Sequence, residues 1–347
     1  LKAGLVDKLM GRSEVNDYLV ERVGAEDEDG LYEAVVFERY VARKRPVSLS
    51  GPEGDRVAVI TAEGNILPGD QPPGVIGGDS LARMIRSTVE EEGVKAIVLR
   101  VNSGGGSMFA SEVIRQQVLY AGEQDIPVVV SMGSVAASGG YYIAAPADEI
   151  WVTPTTITGS IGVFAAFPTF EELLERAGIY TDGVGTTELA GSLRADRPLN
   201  PDLVEALNSS IEFAYRSFLE VVADGRDMTP EEVDPLAQGR VWSAADALEA
   251  GLVDKVGVLE EAIASAAALA GLDDYEVEYV ELPLSPRDLL MKQLANRVGS
   301  LEWLSGSSTL ALLDELMAPV RAAAEELQVL QDPKHLYLRC VACAQVR

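Results

Sequence analysis

The sequence predicts an α/β fold: a mostly parallel sheet with crossover helices. Two observations carry this. Short apolar runs recur at 56–61, 95–101 and 126–131, and amphipathic helical stretches lie between them. Strand, loop, helix and strand at this spacing give crossover units.

The elements follow in order. Residues 9–46 are charged and irregular, with Glu26, Asp27, Glu28 and Asp29 in a row, and read as a connector with a short helix and strand. Arg56–Thr61 reads as a buried strand. A helix over 78–92 carries Leu81, Met84, Ile85 and Val89 on one face. Residues 95–101 give the next strand. A helix from about Ser107 carries Ala110, Ile114, Val118 and Ala121 on one stripe, and 126–131 gives another strand. Thr169 and Glu172 form a capping-box pattern, with Gly178 as the stop. Asn200 caps a long helix with Pro201 at its first position, predicted to bury Leu207, Ile211, Phe218 and Val222. Ser243 caps a helix ending at Gly251. Residues 309–330 form an acidic amphipathic stretch interrupted by Pro319, read as a packing or assembly helix.

Composition narrows the function. Of 347 residues, 28 are Lys or Arg and 55 are Asp or Glu, a net charge of −27. Nucleic acid and anionic lipid both call for a basic face, so neither is an expected partner. The acidic surface reads as a solvated one. Cys340 and Cys343 form a C-x-x-C, but with His335 they supply three ligands, too few for a structural zinc within one chain. A tail disulfide or two free thiols is the expectation. No run of 18 apolar residues occurs.

An internal repeat stands out. Residues 1–8 (LKAGLVDK) and 248–255 (LEAGLVDK) match at seven of eight positions, an offset of 247. Each reads as the same place in two copies of one domain. The chain is expected to begin at the tail of one copy and to contain all of a second.

Two glycine-rich loops follow buried strands: Asn102-Ser-Gly-Gly-Gly-Ser107 and Gly133-Ser-Val-Ala-Ala-Ser-Gly-Gly140. In an open parallel sheet ligands sit at the carboxyl ends of strands, where both loops lie. Glycines leave backbone N–H groups free to face a ligand, and such donors stabilise a developing oxyanion by roughly 3–4 kcal/mol each. Ser138 stands where a helix begins and reads equally as a nucleophile or as an N-cap. Neither loop matches the phosphate-binding G-x-x-x-x-G-K-[ST] pattern. A nucleophile needs a base. His335 lies almost 200 residues past Ser138. Of Lys2, Lys8, Lys44, Lys95, Lys255, Lys292 and Lys334, none is a convincing partner: Lys95 starts its strand at the wrong end of the sheet, and Lys255 belongs to the repeat signature.

Val101–Ser107, Met132–Tyr142 and Thr158–Val163, in this order, resemble signal peptide peptidase A, a family of serine proteases with the fold of the Clp protease and the crotonases. The tail Asp332–Cys343 resembles the end of the long, two-repeat form. The resemblance implies a ClpP/crotonase-like domain over 47–270. It would follow the end of an upstream repeat and a connector (1–46) and precede a helical extension and tail (271–347). It implies Ser138 as nucleophile, an oxyanion hole from the amides of Gly139 and of Gly105 or Gly106, and Ser160 orienting a lysine. It implies no cofactor. Substrates would be signal peptides and other apolar peptides. The protein would be a homo-oligomer (a tetramer), anchored in the inner membrane through an upstream segment and facing the periplasm.

The chain departs from the family twice. Gly104 stands where the family usually has Pro, which suggests a more flexible first loop. Where short members carry their lysine, Ala190–Pro198 offers Arg194 and Arg197, and arginine does not give up its proton. As in the long form, the lysine would come from the upstream repeat, leaving this chain inactive alone. The alternatives are a crotonase-type acyl-CoA enzyme and an inactive oligomer scaffold.

Overall fold

The structure is a computed structural model. It describes residues 7–8, 10, 12–24, 32, 34–35, 40, 54–187, 189–192, 194–281, 332–333, 335–340 and 343. Contacts divide the chain into residues 1–53 and 54–347. The first unit holds helix α1 (Arg12–Val23); there the Tyr32 amide donates to Asn16 Oδ1 at 3.3 Å. Residues 1–6, the acidic cluster 26–29 and the stretch 309–330 lie outside the described residues.

The second unit runs β1 (Arg56–Glu63), β2 (Ile66–Leu67), β3 (Ile76–Gly77), α2 (Gly78–Val89), β4 (Val94–Ser103), β5 (Gly105–Ser107), α3 (Met108–Glu123), β6 (Val128–Ala137), α4 (Gly139–Ala144), β7 (Glu149–Val152), β8 (Ile157–Gly159) and β9 (Phe164–Ala165). It continues with α5 (Glu171–Arg176), α6 (Pro201–Gly225), α7 (Pro230–Val233), β10 (Val241–Ser243), α8 (Ala244–Glu249), β11 (Lys255–Val256), α9 (Leu259–Leu269), β12 (Glu276–Val280) and β13 (Leu336–Arg339).

The main sheet has the order β10-β8-β6-β4-β1-β12, with β7 bonded to β6 and β11. Every pairing in it is parallel except β10 with β8. The chain is therefore α/β with a mixed, mostly parallel sheet. Strand residues alternate between two cores, as a period of two requires. Ala58, Ile60, Ile97, Leu99, Val128 and Val130 pack with Leu81 and Ile85 of α2, Ile114 of α3 and Phe218 of α6. Val57, Val59, Ala96, Val98 and Val129 face Ala262, Ile263 and Ala266 of α9. With both faces covered, the strands read as unbroken apolar runs. A second sheet, β3-β2-β5-β13-β9, lies beyond the carboxyl end of β4.

Several local expectations hold. Ser107, Asn200 and Ser243 accept from the amides of Ala110, Asp202 and Asp246 as N-caps. Gly178 and Gly251 end their helical stretches at φ 71° and 73°. Others need correction. The capping box at Thr169 does not form; Phe170 precedes the first turn because its amide donates to Ala195 O at 2.8 Å. Leu207 and Ile211 are half-buried, since α6 enters the core only from Ala214 onward. Residues 133–137 are strand rather than loop, drawn out by pairing of Val135–Ala137 with β8. Residues 105–107 are likewise strand, held by β2 and β13.

Candidate active site

β6 and β8 run parallel with Ala137 opposite Gly159, and one step further stand Ser138 and Ser160. The Ser138 amide donates to Gly159 O at 2.7 Å, and the Ser160 amide to Arg240 O at 2.6 Å. Both serines adopt left-handed backbone, with φ 55° and 50°. For a residue with a Cβ a sparsely populated backbone of this kind costs on the order of 1–3 kcal/mol, and such strain gathers at functional sites. Side-chain bonds brace the pair of strands: Thr158 Oγ1 donates to Ala136 O and Thr156 Oγ1 to Gly133 O, each at 2.7 Å.

Ser138 heads α4 without capping it: its side chain makes no cap hydrogen bond. The residue is wholly buried, and among the described residues its Oγ has no partner. A buried hydroxyl left unpaired costs about 1–3 kcal/mol, and such a group in a native fold points to a role beyond packing. The N-cap reading is thereby set aside.

Helix α4 is fixed on two sides. The Tyr141 hydroxyl donates to Leu252 O at 2.6 Å, and burial pushes its pKa up. The Tyr142 hydroxyl donates to Glu112 Oε2 at 2.6 Å, and burial, then the bond to Glu112, pushes its pKa up as well. Burial pushes the Glu112 carboxyl up, but bonds from Arg115, Tyr142 and Gln116 outweigh it and hold Glu112 below its ordinary value. Tyr141→Phe strands the Leu252 carbonyl. It is expected to lower unfolding free energy by about 1–2 kcal/mol, read by urea denaturation; an unchanged midpoint would refute the anchor.

The first glycine loop packs against this turn. A Cβ on Gly139 would lie 3.1 Å from Gly105 Cα, and one on Gly105 would lie 2.5 Å from the Gly139 amide nitrogen. The structure thus brings Gly105 beside Gly139, and sets Ser138 and Ser160 one residue past the paired ends of β6 and β8. The Gly105 amide donates to Ser103 Oγ at 3.1 Å, and Ser103 Oγ donates to Gly64 O at 2.6 Å. An oxyanion would compete with Ser103 for that amide. Gly106 stands opposite Leu338 of β13. The Cys340 amide donates to Gly104 O at 2.7 Å, and the antiparallel alternation makes Gly106–Leu338 the next hydrogen-bonded pair.

At Gly104 a Cβ would meet nothing within 4 Å, and its φ is not left-handed. Gly104→Ala should therefore fold and gain about 0.4–1 kcal/mol by restricting the unfolded chain. A fall in melting temperature would contradict this.

Of the bases considered from sequence, those described in the second unit do not converge here. Lys95 faces Asp55 at 3.9 Å and stands eight residues before Ser103 on β4, about 26 Å at strand rise. Lys255 pairs with Glu149 at 2.7 Å and lies opposite Trp151, which pairs with Ser131, seven residues before Ser138. The His335 ring meets Phe167 edge-on at 5.1 Å. Arg194 is bound to Asp196, Nε to Oδ1 at 2.7 Å. Lys2, Lys44, Lys292 and Lys334 lie outside the described residues.

The tail contributes a strand and a buried carboxylate that the sequence reading missed, and a disulfide that it gave as one of two expected states. β13 pairs antiparallel with both β5 and β9. Asp332, 2% exposed, accepts from the Ser107 hydroxyl and from the amides of Phe109 (3.1 Å) and Leu336 (3.2 Å). Cys340 and Cys343 form a disulfide. Leu336, Tyr337 and Leu338 are all buried; that three-residue apolar run is the local signal for the strand.

The sequence is similar to those of known proteases. The family model "Peptidase family S49" matches residues 121–273, which hold Ser138 and Ser160. Protease 4 of Salmonella typhi is 39% identical over 347 residues, covering 99% of this chain and 55% of its own length. A putative protease of Synechocystis sp. is 37% identical over 227 residues, covering 62% of this chain and 82% of that protein. The chain spans about half the length of the Protease 4 relatives it matches. A solved 1510-N membrane-bound stomatin-specific protease covers 67% of this chain and 100% of its own at 16% identity and TM-score 0.42, a likeness too loose to add to the strand order above.

Proposed function

Since this chain belongs to peptidase family S49, we propose that it is the acylating domain of a serine endopeptidase that degrades cleaved signal peptides and other apolar peptides. Ser138 attacks the scissile carbonyl. The amide of Gly139, with that of Gly105, stabilises the oxyanion, since the Gly106 amide is paired with Leu338 of β13. A lysine amine takes the serine proton and later activates the water that releases the acyl group. Ser160, which follows Gly159 as Ser138 follows its strand partner Ala137, orients that amine.

The observation that carries this reading is the Ser138 hydroxyl: fully buried, unpartnered, and held on strained backbone against the first glycine loop. The lysine is assigned to an upstream repeat. In support, Lys95 and Lys255 are engaged in ion pairs at the far end of the sheet, and the Protease 4 relatives are nearly twice as long as this chain. The whole protein is proposed to be an inner-membrane-anchored, periplasmic homo-oligomer, a tetramer. The anchor is assigned to an upstream segment as well; no helix among the described residues is long and apolar enough to cross a membrane.

The test compares the protein carrying its upstream repeat with this chain alone, using an apolar peptide substrate and a fluorophosphonate probe. The longer protein is expected to cleave the peptide and to be labelled at Ser138, and this chain to do neither measurably. Labelling at any other residue overturns the assignment of the nucleophile. Full activity in this chain alone overturns the assignment of the lysine to an upstream repeat.

A further inference from the structure

The tail joins the two loops of the site. On one side it holds the first loop at both ends. The Cys340 amide bonds to Gly104 O, and Asp332 binds the hydroxyl of Ser107 and the amide of Phe109. Between these points β13 lies along the whole of β5. On the other side, Cys340 and Cys343 leave the main core and form a small apolar cluster with Val135 and Ala137, the residues leading into Ser138, packed on Ile157. Gly105 and Gly139, which a Cβ on either would drive apart, meet against the Leu338 carbonyl. Tail, first loop and second loop therefore share one contact surface.

We propose that the disulfide-closed tail, Asp332–Cys343, is a positioning clamp that sets the spacing between the Gly104–Ser107 strand and the Ser138 turn, with Cys340–Cys343 as its fastening. This rests on the reading of Ser138 as nucleophile. Without the disulfide, Cys340 and Cys343 are no longer tied to each other across the Val135–Ala137 surface. The strand that fixes Gly105 then loses its grip on the second loop. Acylation depends on sub-ångström placement of the nucleophile against its oxyanion donors, and a displacement of about 1 Å costs on the order of a hundredfold in rate.

The fastening is open to reagents. The two cysteines are only 2% and 6% exposed, yet both line a cavity of about 490 Å3 together with Ser103, Gly104, Ser134 and Val135. A small dithiol entering it reduces the bond. Its thiolate attacks one cysteine sulfur to give a mixed disulfide, and its second thiol closes on the first. Two electrons and two protons pass to the protein, which gains two thiols, and the reagent leaves as a cyclic disulfide.

The test uses the protein with its upstream repeat and follows labelling of Ser138 by a fluorophosphonate. One comparison is wild type before and after dithiothreitol, with the liberated thiols counted. The other is Cys340→Ala/Cys343→Ala. Reduction is expected to slow labelling by about ten- to a hundredfold, to lower kcat far more than it changes KM, and to be reversed by reoxidation. The double variant should label slowly with or without dithiol. A merely structural disulfide would instead shift thermal unfolding while leaving the labelling rate of the folded protein unchanged. That result, with Ser138→Ala still abolishing labelling, overturns the clamp and spares the nucleophile. Labelling that survives Ser138→Ala overturns both. Should the double variant fail to fold, the reduction and reoxidation of the wild-type protein decides the matter by itself.

Discussion

Ser138→Ala, made in the protein carrying its upstream repeat, is expected to abolish peptide hydrolysis and at the same time to stabilise the domain. Removal of a nucleophilic serine costs roughly 10⁶-fold in kcat in a well-studied serine protease. The stability gain comes from the same atom. Oγ of Ser138 is buried without a hydrogen-bond partner, a penalty of about 1–3 kcal/mol that alanine does not incur. The left-handed backbone at φ 55° remains strained for alanine as for serine, so that part of the cost stays. A net gain of about 1 kcal/mol corresponds to a rise of roughly 2–4 °C in melting temperature for a domain of this size. Hydrolysis and thermal unfolding of both proteins decide it. A variant that is both active and less stable would mean that the hydroxyl serves packing rather than chemistry.

Gly105→Ala is expected to do the opposite: to damage fold and function together. Gly105 sits at φ 92°, where a side chain is strained whatever the space. A Cβ there would overlap the Leu338 carbonyl oxygen and approach the Gly139 amide nitrogen to 2.5 Å. Both are backbone atoms in paired elements, so neither can swing aside as a flexible side chain does. Either β13 leaves β5 or the Ser138 turn shifts. The expected loss is about 3 kcal/mol or more, since backbone strain and overpacking add, with a fall in acylation beyond what the lost folded fraction explains. Urea denaturation measures the first and probe labelling of the folded protein the second. The adjoining Gly104→Ala, predicted to be harmless, is the control. Equal behaviour of the two variants would refute the close approach of the two loops.

The glycine positions show how little spacing alone says about such effects. Gly104, Gly105 and Gly106 are adjacent and chemically identical in the sequence. Only the packing separates them: open space at Gly104, two backbones at Gly105, and the Ile66 backbone at Gly106. The departure from the family's proline at position 104 reads from sequence as added flexibility. In the fold the same residue accepts a bond from Cys340 and is held in place.

Features with a local cause are legible in the chain before it folds. Apolar runs fixed the strands at 56–61, 95–101 and 126–131, because a strand buried on both faces needs consecutive apolar side chains. Ser107, Asn200 and Ser243 marked helix starts, because an orphan amide two or three residues on needs a nearby oxygen. Motif order pointed to Ser138 and Ser160. The rest follows from packing between distant segments. That packing set the left-handed backbone at both serines, the unpaired state of the Ser138 hydroxyl, and the union of 336–339 with 105–107 across more than two hundred residues. Strand pairing has no covalent ruler: a short apolar run such as Leu336–Leu338 fits any exposed edge, and which edge it takes depends on what the rest of the chain leaves uncovered.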